Sequence, residues 1–412
     1  MKKRFLLIGS LLCSSMAFGQ AYQLNMQGMR QLAMGGSGAA IPWDASAIFY
    51  NPGALSAMEN PQVYASMNAI MPRTRYISAP TGTAMLDAKE QTFTPYNVYF
   101  ATPVGYKTRF TAGFGIYTPF GTGISWDDNW TGRYLVQEMR LNTTFFQPTL
   151  AFQVTDEISV GAGFVYGIGN FEYRNAMPLL DVNGNEASRE LTGRATGVGF
   201  NLGLHVKPTE NVHFGITYRS QVNMKIRRGY ARFSDIPGTV SSSYLNTGFE
   251  STLPMPQVLT AGFGWDINEW VTLQLEANYT GWGAYDSLRF DFQNNTDLLQ
   301  DEASARRYRN SITLRAGTKI NFRNERWSVM LGTAYIPSPV REGYLNPELP
   351  DAVHFLATGG LSWKLSKRIS VIGALEYRFY EVRTGLSTEH GFKGKYHTKW
   401  LNPGLALTYD FN

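Results

Sequence analysis

The chain has 412 residues, 43% of them hydrophobic and 14% aromatic but only 17% charged, with 41 glycines and a mean hydropathy of −0.23. Beyond the N-terminus no apolar run approaches the roughly 20 residues that a membrane-spanning helix needs. The formal charge of +5 falls to +2 without Lys2, Lys3 and Arg4 (37 basic residues less three, against 32 acidic), which leaves no basic block suited to nucleic acid.

The first nineteen residues read as a secretory leader. They carry the basic trio, an apolar stretch from Phe5 to Leu12, and small residues at Ala17 and Gly19 ahead of Gln20. A cleaved signal peptide over 1–19 is therefore expected. Leu12 is too bulky to precede a lipidated Cys13, and the mature chain then holds no cysteine for a disulfide or a thiol nucleophile.

Residues 20–60 form a separate region. Leu24 to Ala33 has helix-forming character, Gly35, Gly36 and Gly38 follow, and Pro42 and Pro52 interrupt any long element. About forty residues are too few for an independent core. This segment is expected to pack inside the rest of the molecule as a hatch.

From 61 to 412 hydrophobicity alternates with period two, which puts apolar side chains on one face of each strand. Strands are expected near 61–71, 92–104, 108–119, 140–154, 157–174, 190–207, 211–230, 250–266, 269–290, 306–322, 325–338, 352–365, 368–383 and 398–411. Ile312, Leu314, Ala316, Thr318, Ile320 and Phe322 face one way, while Arg309, Ser311, Thr313, Arg315, Lys319 and Asn321 face the other. Such faces would also suit a soluble sandwich, but the connections argue against one. Tight links at 105–107, 155–156, 207–210, 267–268, 323–324 and 366–367 alternate with longer polar excursions, as short periplasmic turns and long outer loops do in an outer-membrane barrel. Outward Trp265, Trp327, Trp363 and Phe411 all lie at the short-turn end, where an interfacial aromatic belt belongs. The predicted fold is an all-β membrane protein: a transmembrane antiparallel barrel of about fourteen strands, in the cell outer membrane, with a partly helical N-terminal hatch in its lumen.

The hatch also resembles a known family. Gly28 and Arg30, Gly35-Gly36, Asp44-Ala45-Ser46 and Tyr50-Asn51-Pro52-Gly53-Ala54-Leu55 look like the FadL family of outer-membrane transporters for long-chain fatty acids and other hydrophobic compounds. Asn51-Pro52-Gly53 resembles the family's Asn-Pro-Ala hatch signature, with glycine for alanine, a change expected to keep the turn. Thr217-Tyr218-Arg219-Ser220, Leu253-Pro254, Tyr279-Thr280-Gly281-Trp282, Pro337-Ser338-Pro339-Val340 and Pro350-Asp351 follow in family order. The resemblance implies a monomeric fourteen-stranded barrel that takes a hydrophobic ligand from outside and releases it sideways through a gap at a kink in the third strand. That kink maps onto Pro119, Phe120 and Gly121; the plain alternative is that the strand ends there. The expected surroundings are outer-membrane lipid and lipopolysaccharide, reached through the barrel-assembly machinery.

A fatty acid needs an apolar slot and a cation near its mouth, and each buried methylene contributes about 0.8 kcal/mol. By resemblance Arg309 matches a commonly basic position, and Arg315 shares its face; either could equally pair with acids across the lumen. A second family cation falls at Ile168. Catalysis, metals and cofactors find no support: the five histidines lack metal-ligand spacing, Gly35-Gly36-Ser37-Gly38-Ala39 misses the nucleophile-elbow pattern, and 181–185 misplaces the glycine of a calcium loop. The leading expectation is passive uptake of a hydrophobic small molecule. The alternatives are a receptor or adhesin using the outer loops, and an outer-membrane esterase, for which no serine, histidine and acid are marked out.

Overall fold

The structure, a computed structural model, describes residues 21–79, 82, 84–105, 109–322 and 326–411. The expected leader and the turn at 323–324 lie outside the described residues, as does most of 105–107. Within them, 22 strand segments form one sheet whose members line up as fourteen antiparallel staves. The first stave is Gln62–Asn68 with Met71–Ser78, the second Tyr96–Pro103, and the third Phe110–Tyr117 with Gly121–Ser125. Glu138–Gln153, Ile158–Leu180 and Glu186–Thr209 are the unbroken fourth to sixth. Staves seven to ten have two segments each: Val212–Arg219 and Val222–Ser234, Thr247–Met255 and Val258–Asp266, Val271–Thr280 and Ser287–Phe292, Glu302–Ala305 and Ser311–Phe322. Trp327–Ile336, His354–Lys364, Ile369–Tyr380 and Phe392–Asp410 complete the ring. The first stave pairs with both the second and the last, Gln62 opposite Asp410, so the barrel closes without a free edge.

Period two sorts the side chains as expected: Ile312 and Leu314 are exposed on the outer face, while Ser311, Thr313 and Arg315 are buried. Trp327 and Trp363 sit opposite each other and stack at 4.7 Å, with exposed Trp265 and Phe411 at the same short-turn end, joined by Trp270. Staves five and six run well past 174 and start before 190, beyond the expected ends. Above the apolar band the sense of the alternation reverses: outward Asn170, Glu172 and Arg194 are polar while inward Phe171, Tyr173 and Leu191 are buried.

Residues 22–55 are almost all buried and pack against inward-facing groups of the barrel wall. The helix is shorter than expected, Met29–Ala33, because the chain before it is drawn out along the third stave: Leu24 N–H donates to the Pro119 carbonyl at 2.9 Å. Gly35 and Gly36, with φ of +73° and +82°, end this helix in the left-handed turn that glycine tolerates. A second short helix, Ala47–Tyr50, follows Asp44, which pairs with Arg30 at 2.7 Å and accepts from the Ser46 N–H. It stops at Asn51, whose extended backbone suits a residue before proline, and Pro52 opens the 3-10 turn Pro52–Ala57.

The barrel wall is shaped to receive this segment. Inward glycines provide the sockets: a Cβ on Gly203 would lie 2.2 Å from Asn51 Oδ1, and one on Gly332 would lie 2.1 Å from Gly35 N. The contact is mutual at Gly53, where an added Cβ would meet the Gly203 carbonyl oxygen at 2.7 Å; glycine here serves close approach to the wall and is more than a neutral exchange for alanine. Asn51 Nδ2 donates to the carbonyls of Ala39 (2.7 Å) and Leu204 (3.0 Å), tying segment to wall. Opposite, Glu276 Oε2 accepts from Gly38 N–H and Ala39 N–H at 2.8 and 2.9 Å, and Arg315 Nη1 donates to the Gly35 carbonyl at 2.7 Å. Met26, Met29, Leu32, Met34, Ile48 and Leu55 are fully buried, each contributing about 1.5–3 kcal/mol.

Glu276→Ala would leave two buried N–H groups unpaired, at about 1–3 kcal/mol each. The barrel itself should persist, migrating as folded on an unheated SDS gel, while planar-bilayer conductance rises as the segment loosens. Unchanged conductance would show that these anchors do not hold it.

Candidate functional site

The third stave breaks at its middle. Tyr117 pairs with Phe145 on the fourth stave, and pairing resumes with Gly121 opposite Asn142, so Thr118, Pro119 and Phe120 face only Thr143 and Thr144. The extra residue makes a bulge, and Pro119 has no N–H to give the ladder. The strand therefore continues after the break and does not end there.

Backbone groups freed by the bulge find partners on the N-terminal segment. Pro119 O accepts from Leu24 N–H, Gly121 N–H donates to the Tyr22 carbonyl at 3.0 Å, and Gln27 Nε2 donates to the Thr118 carbonyl at 2.8 Å. Gln23 and Phe120 thus form an isolated antiparallel bridge. Tyr22 is anchored in turn, its hydroxyl donating to the Pro254 carbonyl at 2.6 Å and its ring edge-on to Trp282 at 4.8 Å.

Two cavities border the break. The larger, about 420 Å³, is lined by Leu24, Ile70, Phe93, Ile124 and Trp400 among apolar groups, by Thr118 and Gly121 of the break, and by Glu348, Asp351 and Arg378. Its size and mixed lining suit a small organic ligand. The smaller, about 30 Å³, lies against Pro119, Phe120, Tyr117, Phe145 and Arg219. Outer loops roof the barrel: Trp126 and Trp130 are buried and stacked at 4.5 Å, and Trp126 Nε1 donates to the Pro347 carbonyl at 3.3 Å. The loop carrying Ser338, Glu348 and Asp351 folds inward beneath them; Glu348 pairs with Arg306.

The cations expected to hold a ligand are placed elsewhere. Arg315 does face the lumen, but its donors go to Gly35 and, through Nε at 2.8 Å, to Asn278 Oδ1, so it anchors the N-terminal segment. Arg309 lies between the two segments of the tenth stave, its N–H donating to the Pro339 carbonyl at 3.0 Å. Neither residue lines the two cavities at the break. Ile168, at the second family position, faces outward on the lipid side.

The cations at the cavities are Arg378 and Arg219. Arg378 donates to Glu376 at 2.5 Å and stacks on Trp400 at 4.4 Å; an acid and a base two apart on an inward face was the signal for it. Arg219 lies 3.9 Å over the Phe49 ring and, among the described residues, has no ion pair; it belongs to the stretch Thr217-Tyr218-Arg219-Ser220. Burial pushes the Asp351 carboxyl up to about 6 despite a 2.7 Å hydrogen bond from Ser338 and the charges of Arg383 and Arg378. His205 and His213 stack, and His213 meets Asp266 at 3.2 Å, but no metal-binding cluster occurs among the described residues.

The sequence profile of the outer membrane protein transport protein family (OMPP1/FadL/TodX) matches residues 10–411. The long-chain fatty acid transport protein of Salmonella typhi is 23% identical over 410 residues, covering 91% of each chain. Among solved structures, a Pseudomonas aeruginosa FadL homologue has a TM-score of 0.85 at 19% identity, covering 95% of this chain and 100% of its own. The P. putida toluene transporter TodX follows with a TM-score of 0.75 at 16% identity, covering 93% and 98%. With a family profile spanning nearly the whole sequence and a closed fourteen-stave barrel, the chain belongs to the OMPP1/FadL/TodX family, as an outer-membrane transporter of hydrophobic compounds and not an enzyme.

Proposed function

We propose that the protein takes up long-chain fatty acids passively, binding them in the 420 Å³ cavity and releasing them sideways at Pro119, Phe120 and Gly121, with residues 20–60 acting as the hatch. The observation that carries this reading is the meeting of cavity, wall break and N-terminal segment at one place. The freed backbone of the third stave is covered by the N-terminal segment and not by a neighbouring stave. Movement of Tyr22–Gln27 away from the bulge would join the cavity to the bilayer.

A fatty acid is favoured over a hydrocarbon by Arg378 at the cavity wall and by likeness to the Salmonella long-chain fatty acid transport protein; likeness to the toluene transporter speaks for smaller apolar ligands. The ligand-binding role considered for Arg309 and Arg315 passes to Arg378 and Arg219. Buried Trp126 and Trp130 and the inward-folded loop that carries Ser338, Glu348 and Asp351 close over the lumen, and no specific observation favours a receptor or adhesin reading.

Gln23 and Phe120 form the closely spaced kind of antiparallel pair, whose Cα separation of about 4.5 Å falls within disulfide range. With Gln23→Cys and Phe120→Cys, oxidation should abolish uptake of labelled oleate and reductant should restore it. Full uptake by the oxidised protein would refute release at the third stave.

A second test uses pH. Asp351 loses its charge below about 6, so it disfavours the folded state progressively as pH rises from about 4 to 6, and at neutral pH it repels a bound carboxylate. Two like charges ~8 Å apart at intermediate dielectric interact by ~1 kcal/mol. Oleate should therefore bind roughly fivefold tighter at pH 5.5 than at 7.5, with oleyl alcohol unaffected. Asp351→Asn should remove that gain; a gain kept in full by the variant would assign it to the ligand's own proton.

A further inference from the structure

The outer faces of staves four to seven change character sharply with height. On the fifth, Ile158, Val160, Phe164, Tyr166 and Ile168 are exposed to lipid, and then Asn170 and Glu172 take their places. On the sixth, exposed Leu202, Phe200 and Val198 give way to Thr196, Arg194 and Thr192. A tilted strand crosses the apolar band in about ten residues. The polar stretches therefore stand at the level of the outer-leaflet head groups.

Arg140, Arg194, Lys225, Arg227 and Arg228 share one open cleft at this level, with Glu172 as its acid. The register brings them together: Asn170 faces Arg194, and Thr196 faces Lys225. A bulge in the seventh stave, where Ile226 and Gly229 pair with Ser251 and Phe249, turns both Arg227 and Arg228 outward. Arg140 is paired with Glu138 at 2.8 Å. Among the described residues, Arg194, Lys225, Arg227 and Arg228 make no ion pair or hydrogen bond.

We infer that this cleft binds the phosphorylated head group of lipopolysaccharide in the outer leaflet, with the acyl chains lying down the apolar faces of staves five and six. Guanidinium forks match phosphate oxygens, and four unpaired cations directly above a lipid-facing surface need an anion carried by a lipid. The bulge sets two of those forks side by side. This site is independent of the transport reading, since it lies on the outer wall.

The test uses the full folded barrel purified from outer membranes in mild detergent, with retained lipopolysaccharide counted by native mass spectrometry. The variant Arg194→Ser, Lys225→Ser, Arg227→Ser, Arg228→Ser should retain at least about tenfold less, given roughly 1 kcal/mol per basic residue near an anionic surface. A control removing exposed Lys393, Lys395 and Lys399 should retain the full amount. Equal loss in the two variants, or no loss in the first, overturns the proposal. Delipidated unsubstituted barrel provides a check free of folding effects: it should bind bisphosphorylated lipid A and discriminate against the same lipid stripped of phosphate. Equal binding of the two lipids overturns it as well.

Discussion

In hydrocarbon every backbone N–H and C=O must find a partner within the protein, because no water is there to take its place. A closed barrel meets this demand by pairing each stave with two neighbours, the first with the last. The bulge at Thr118–Phe120 creates an exception in the wall. It is tolerated because Tyr22, Leu24 and Gln27 supply the missing partners from inside. The break and the N-terminal segment therefore depend on each other: without the segment the break exposes unpaired groups, and without the break the segment's edge has nothing to pair with.

The same dependence explains the glycines. A segment packed this tightly needs the wall to withdraw its side chains where helix and turn touch it, and Gly203 and Gly332 do so. Polar anchors then set the position that shape alone leaves free. Glu276 and Arg315 hold the turn at Gly35–Ala39 from one side, and Asn51 ties the next turn to the sixth stave from another. Since these groups are buried and hydrogen-bonded, the segment is located by directional bonds as well as by packing. The stretch that covers the break is held by backbone contacts, by the Tyr22 hydroxyl and the Gln27 amide, and by the Asn97 amide on the Met26 carbonyl.

Charge is distributed according to the same geometry. Inside, acids and bases are largely committed to one another or to the N-terminal segment; Arg378 at the cavity wall is itself paired with Glu376, and Arg219 lies over the Phe49 ring. Outside, at the height where lipid tails give way to head groups, the sixth and seventh staves carry Arg194, Lys225, Arg227 and Arg228, which have no ion pair among the described residues.

The sequence alone determined the barrel, its fourteen staves, the inward or outward parity of residues such as Leu314 and Arg315 and the belt at the short-turn end, because period two and turn chemistry are local properties of the chain. A kink at Pro119 is implied only by the family resemblance, with a plain strand end as the alternative. Parity says which way a side chain points but not what waits across the lumen. Arg315 and Arg378 read alike in sequence, yet one meets Gly35 and the other a cavity. Likewise Leu24 to Ala33 has helix-forming character, yet Leu24 to Gln27 is drawn straight, since its partner is nearly a hundred residues away. Tertiary structure alone decided those matters, and the outward placement of both Arg227 and Arg228, because each depends on register and packing between segments far apart in the chain.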